Sequence, residues 1–434
     1  MNSEPLKSRI AGYAQGALVL LVFAIIALPG LFRNALFTEN YDETKYHLPA
    51  IQRFAADLPH PNLSTYSSAT TPLYHLLFAL LMRIGCGLTS LRLINFAISA
   101  ATVLVVMAYL RSASPDRGSW LPGSTTLLFA SSIYVVGPSI RLTTDNLALG
   151  AAVAILYVLD RDKVRSEGPF GLTVLLAIIA ILTRQLYLWL VPMLGLYALT
   201  NDKWDMNRKL IAAGAATLPL LVALPFFILW HGFSNANFAP QHELRDGIVN
   251  GKALVLAVCT LGVFTAIFTP AITRVLLPDK RGGLLLVSTL VLAVGLLPTL
   301  GAYAGSYRVP MEGGWLRAVA EHTPVVFNIW SLFWILFSIG CAVIAAMAYH
   351  AATTRQEVWI LVALVLWLVV NSMQGRAMAK YYEPFEIVVI GRLAVSAPSR
   401  WTDNIPLWML AAVFIVVDIF RFWFGTAWAS PGLS

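Results

Sequence analysis

Charged residues are scarce in this chain. Asp, Glu, Lys and Arg make up 12% of its 434 residues, against 58% hydrophobic. That scarcity leaves no stretch long enough for a separate water-soluble domain. Cysteine is scarcer still: Cys86, Cys259 and Cys341 are odd in number and scattered, so they supply neither a disulfide framework nor a metal-ligand spacing. Phosphate machinery is missing as well. There is no glycine-rich loop ending in Lys-Ser/Thr, no dinucleotide fingerprint and no Gly-x-Ser-x-Gly elbow. No metal site, cofactor or nucleic-acid partner is expected, and no domain exists to grip a soluble nucleotide-sugar. An activated donor, if one is used, is expected to arrive dissolved in the membrane.

What the chain does have is apolar runs of about 15–22 residues from end to end, the pattern of a polytopic α-helical membrane protein. Basic clusters separate them at Arg111/Arg117, Arg161/Lys163/Arg165, Lys203/Arg208/Lys209 and Arg274/Lys280/Arg281, with weaker ones at Arg355 and Arg392/Arg400. If all are cytoplasmic, two crossings separate consecutive clusters. The crossings pair as 120–138 with 145–160, 169–183 with 186–200, 210–230 with 252–272, 284–302 with 326–348, and 357–372 with 383–395. The first run, 11–31, reads as a retained span with a cytoplasmic N-terminus, and the last, 406–426, leaves the C-terminus outside. Parity then allows only one of 72–85 and 91–110 to cross. The former, at about 14 residues, is too short, so it is expected to lie in the outer leaflet. The expected fold is all-α, with about 13 transmembrane helices and interfacial helices in the first outer loop, 32–90.

This topology gathers the polar residues on the outer face. Asp42 and Glu43 open a predicted amphipathic helix running to about Ala56, with His47 and Gln52 inside it. Asp42 has a plainer reading, as an N-cap facing the positive end of the helix dipole. Arg92 and Asn95 follow at the outer end of the second span, then Arg141 and Asp145-Asn146, then Arg184-Gln185 at the tip of a tight pair of spans. Arg308, Arg317 and Glu321 occupy one late outer loop, and Arg376, Lys380, Tyr381, Tyr382 and Glu383 another. Any one of these cations can be a headgroup or snorkelling residue, and the last stretch can be an interface belt. Arg184 interrupts an otherwise apolar stretch, where a charge is costly unless it meets a cavity or a partner.

Taken together, these residues resemble a known family. Asp42-Glu43-Thr44-Lys45-Tyr46-His47-Leu48-Pro49, with Gln52 after it, is similar to the first-loop motif of the dolichyl-phosphate-glucose-dependent α-1,2-glucosyltransferases of N-glycan assembly. Thr70-Thr71-Pro72-Leu73-Tyr74 resembles that family's Thr-Thr-Pro-Pro-Gly-Leu-Tyr segment, without its second Pro and its Gly. Leu91-Arg92-Leu93-Ile94-Asn95 and Arg184-Gln185 resemble its Leu-Arg-x-x-Asn and Arg-Gln. The matches cover about the first 190 residues in order; the rest aligns only by hydropathy. The broader superfamily is that of the GT-C glycosyltransferases, which use polyprenyl-phosphate sugars. The resemblance implies a GT-C-like module over 1–200 and a variable transmembrane module over 201–434 that shapes acceptor recognition.

The implied activity is transfer of one hexose, glucose in that family, from a polyprenyl-phosphate donor to a hydroxyl of a lipid-linked or surface glycan. Asp42 would be the general base and Glu43 or His47 would orient it. Arg184 and Arg376, then Arg92 and Lys380, would bind the donor phosphate. Gln52, Asn95, Asp145 and Gln185 would bind or orient substrate, with Asp145 also a candidate second acid or a partner for Arg141. The expected site is the periplasmic face of a bacterial inner membrane, with the endoplasmic reticulum as the other setting. Two rivals remain: a lipid-linked-sugar flippase or other transporter, and an O-antigen ligase or polymerase. The absence of an internal repeat and the early position of the largest loop favour the GT-C reading.

Overall fold

A computed structural model describes residues 4–32, 41–66, 68–116, 118–165, 170–235, 249–276, 280–306, 313–354 and 357–423. Arg117, Arg308 and Arg355 lie outside these residues. Most of the described chain is helical. One two-residue hairpin, Val325–Val326 paired antiparallel with Ile329–Trp330, is the sheet structure among the described residues. Six described helices are long and apolar enough to cross a membrane: Ala11–Phe32, Leu88–Ala113, Met206–Trp230, Gly251–Val275, Ser331–Ala352 and Trp401–Trp423. Five shorter apolar helices accompany them: Leu73–Arg83, Phe170–Thr183, Gln185–Thr200, Val287–Leu300 and Val358–Ser372. The chain is thus an all-α membrane protein. The expectation of about 13 crossings goes beyond these six, because several expected spans are short helices.

Two expected spans differ from the hydropathy reading for visible reasons. The expected span 120–138 is two helices, Leu121–Ala130 and Ile133–Ile140, broken at Ser131-Ser132. The Ser132 hydroxyl accepts the Tyr134 N–H and starts the second helix, so a capping residue divides a uniformly apolar run. The expected span 326–348 begins instead with the hairpin, and its helix starts at Ser331.

The chain packs as two units. One comprises residues 1–15, 113–129 and 244–410; the other comprises 16–112, 130–243 and 411–434. In the first unit, helices Gly251–Leu276 and Ser331–Thr354 pack closely. A Cβ at Gly262 would run into the Leu336 carbonyl, and one at Gly340 into the Val258 carbonyl. Small residues at these crossings let the backbones approach, which is how membrane helices gain contact without a hydrophobic driving force.

The second unit holds the first loop. Helix Leu48–Asp57 buries Ala50, Ile51, Phe54 and Ala55 on one face. Helix Leu73–Arg83 buries Tyr74, His75, Phe78 and Ala79 against it. At 11 residues the latter spans roughly 16 Å, about half a hydrocarbon core. It ends in a Schellman turn: Cys86 N–H donates to the Leu81 carbonyl and Gly85 N–H to that of Met82, with Gly85 at φ 103°. Helix Leu88–Ala113 carries a buried polar stripe of Arg92, Asn95, Ser99 and Thr102 at helical spacing. Beyond Arg92 the stripe meets residues 138–146: Asn146 Nδ2 donates to Ser99 Oγ, and Thr102 Oγ1 to the Asn146 carbonyl.

Candidate functional site

The acidic pair sits on an unusual turn. Residues Glu43–His47 are wound as a π-helix, and Leu48 N–H donates to the Glu43 carbonyl five residues back. Pro49 follows in the first turn of the next helix and has no N–H to continue a tighter ladder. Asp42 has helical backbone angles (φ −61°, ψ −42°), and its side chain makes no capping bond. The plain N-cap explanation therefore does not describe it. Asp42 is half-buried, whereas Glu43 is fully buried.

Glu43 is gripped on both oxygens. Arg92 Nε donates to Oε1 at 3.0 Å and Arg92 Nη2 to Oε2 at 2.6 Å, a bidentate fork. Leu142 N–H also donates to Oε1, at 3.2 Å, and Arg141 Nε lies 3.7 Å from Oε2. Arg92 Nη1 reaches the Leu31 carbonyl at 3.5 Å. The carboxylate thus ties the first loop to two other segments, and Arg92 links a third. A carboxylate so engaged is an anchor.

Asn95, one turn along from Arg92, closes the same joint. Its Nδ2 donates to the carbonyls of Pro138 (2.8 Å) and Arg141 (2.7 Å), and its Oδ1 accepts from the Tyr74 hydroxyl at 3.0 Å. Arg184 is an extended residue (φ −156°, ψ 114°) between helix Phe170–Thr183 and a 3-10 turn, so the backbone breaks where the charge sits. Its Nη1 makes an ion pair with Asp145 Oδ1, in the first turn of helix Asp145–Arg165, where an acid meets the positive dipole end. Beside it, Gln185 Nε2 donates to the Ala69 carbonyl and Thr71 Oγ1 to that of Ile181, both at 2.6 Å. The Thr70-Thr71 segment and the Arg184-Gln185 pair, far apart in sequence, therefore meet. Gln52 is exposed on the face of its helix opposite the buried residues.

A second set of groups was not legible in the sequence. His75, fully buried on helix Leu73–Arg83, has both ring nitrogens engaged. Nε2 is 2.8 Å from His47 Nδ1 and Nδ1 is 2.6 Å from the Tyr66 hydroxyl. Tyr66 is stacked between Phe54 (5.3 Å, 10°) and Trp230 (5.8 Å, 14°). Burial pushes the Tyr66 phenol well up, so it stays an O–H. Burial, then the neighbouring His47, holds His75 well below the usual imidazole range, so it is neutral. A lone histidine in Leu-Tyr-His-Leu-Leu reads as core filler, and nothing in its 28-residue separation from His47 signals the pair.

Arg376 and Lys380 belong to the other unit. Lys380 Nζ lies 5.5 Å over the Tyr381 ring, and Glu383, fully buried, accepts from Trp315 Nε1 at 2.5 Å. Glu386, one turn on, is also fully buried, and its oxygens have no hydrogen-bond partner among the described residues. No group of three or more His, Cys, Asp or Glu able to hold a metal ion occurs among the described residues. No family model, curated protein or solved structure matches the chain.

Proposed function

We propose that the chain is a membrane glycosyltransferase of the GT-C kind. It moves one hexose from a polyprenyl-phosphate donor to a hydroxyl of a lipid-linked or surface glycan, with inversion. The observation that carries this reading is the division of labour between the two neighbouring acids. Glu43, forked by Arg92 and capped by Leu142 N–H, fixes the turn. Asp42, beside it on the same turn and half-buried where Glu43 is fully buried, is the carboxylate this reading makes the base.

In this mechanism Asp42 accepts the acceptor's hydroxyl proton as that oxygen attacks the anomeric carbon from the side opposite the phosphate. Negative charge grows on the departing lipid phosphate. A permanently charged, bidentate guanidinium is the group suited to stabilise it. Arg184 is the first choice, because its ion pair with Asp145 holds it at a break in the helix, close to the first-loop segment at Ala69–Thr71. Arg92 has its Nε and Nη2 donors on Glu43 and contributes by holding the turn. Arg376 and Lys380, in the other unit, are given no part in this step. About 13 crossings, a bacterial inner membrane and a periplasmic site complete the proposal.

The test is sugar transfer in liposomes from labelled polyprenyl-phosphate sugars to a host lipid extract, wild type beside Asp42→Asn. Transfer by the wild type and its loss in a folded Asp42→Asn support the reading. Movement of a lipid-linked sugar across the bilayer with no transfer from any donor would favour the flippase instead.

A further inference from the structure

The hydrogen bonds around His75 permit two arrangements of protons. A neutral imidazole has one N–H and one bare nitrogen. In the first arrangement the Tyr66 O–H donates to His75 Nδ1, His75 Nε2–H donates to His47 Nδ1, and His47 carries its own proton on Nε2. In the second, Tyr66 donates to the Thr71 carbonyl, His75 donates from Nδ1 to the phenol oxygen, and His47 donates from Nδ1, leaving its Nε2 bare. The distances separate them. The 2.6 Å contact between Tyr66 Oη and His75 Nδ1 is common to both, but the second sends the phenol O–H to the Thr71 carbonyl, a long 3.4 Å away, so the first is the better bonded.

We infer that Tyr66 and His75 are positioning residues that lock His47 as the Nε2–H tautomer, so that the edge of its ring away from His75 is a hydrogen-bond donor. The π turn from Glu43 to His47, closed by the Leu48 N–H on the Glu43 carbonyl, puts His47 on the same turn of chain as Glu43, with Asp42 immediately before it. An oxygen meeting that edge, whether carboxylate or sugar hydroxyl, meets an N–H. His47 therefore orients and does not act as the base. The phenol is itself fixed by its stack between Phe54 and Trp230, so the chain of constraint runs from an aromatic core to the first-loop motif. The catalytic part of this inference rests on the transferase reading; the tautomer does not.

Two readouts separate these parts. Solid-state ¹⁵N NMR of histidine-labelled protein in liposomes, assigned with His47→Gln and His75→Gln, reads the protonated nitrogen directly. Both histidines should be protonated at Nε2 in the wild type. Tyr66→Phe, which keeps the ring stack, should give His47 a mixed population. Protonation of His47 at Nδ1 in the wild type, or a ratio unchanged in Tyr66→Phe, overturns the inference. The second readout is transfer kinetics. His75→Gln can accept from Tyr66 and donate to His47, and should keep most of kcat. His75→Leu can do neither and should lose about 10²-fold in kcat, the scale of a small misplacement, with KM little changed. Equal kcat for the two folded variants overturns the positioning role. Absence of transfer by the wild type counts against the transferase and leaves the NMR test standing.

Discussion

Glu43→Gln should destabilise the protein far more than Arg92→Gln, although the two residues form one ion pair. Removing the carboxylate leaves the guanidiniums of Arg92 and Arg141 buried on a neutral amide. Breaking a buried pair in this way costs about 3–5 kcal/mol. Removing Arg92 leaves Glu43 with the Leu142 N–H at 3.2 Å and Arg141 at 3.7 Å. Its cost is nearer that of lost charged hydrogen bonds, about 1.5–3 kcal/mol. The double variant should fall short of the sum by about 0.5–3 kcal/mol, because the groups share a network. Asp42→Asn, on a half-buried acid next in sequence, should stay within about 1 kcal/mol of wild type. Denaturant titration of the purified protein in one detergent gives all four differences. If Arg92→Gln proved as damaging as Glu43→Gln, or if the double variant were additive, the anchor role of Glu43 would be refuted.

Three further outcomes are expected. Arg184→Gln should lower kcat/KM for transfer by about 10²–10³, the loss typical of one preorganised transition-state donor, while Arg184→Lys recovers only part of it. Gly150→Ala should destabilise by about 1–3 kcal/mol, since the new Cβ would collide with Thr102 Oγ1, and Thr102→Ala should recover part of that in thermal unfolding. Gly262→Ala should be worse and without such relief, because there the obstacle is the Leu336 backbone carbonyl; the yield of folded protein reads this.

The first loop was the most legible part of the chain. An Asp-Glu pair followed by an amphipathic pattern located the turn, and the apolar run 72–85 located the short helix observed at Leu73–Arg83. The pair's internal asymmetry was not legible. The resemblance gave Asp42 and Glu43 different roles, but the physical difference between them comes from the approach of Arg92, Arg141 and Leu142 from distant segments. The break at Ser131-Ser132 carried a capping signal that hydropathy averaging hides. Tyr66, His75 and Trp230 carried none, because an aromatic or a single histidine within apolar sequence looks the same whether it fills core or fixes a ring. Glu386 is a further miss: its complete burial depends on neighbours that local spacing does not specify.

The central claim is that Asp42 takes the acceptor proton in a sugar transfer from a lipid phosphate. Its most direct test is transfer by Asp42→Asn and Glu43→Gln beside wild type, each at matched folded concentration, with labelled polyprenyl-phosphate hexoses. The account predicts transfer by the wild type, none above background by a stable Asp42→Asn, and residual transfer by whatever Glu43→Gln folds. Undiminished transfer by Asp42→Asn would contradict it.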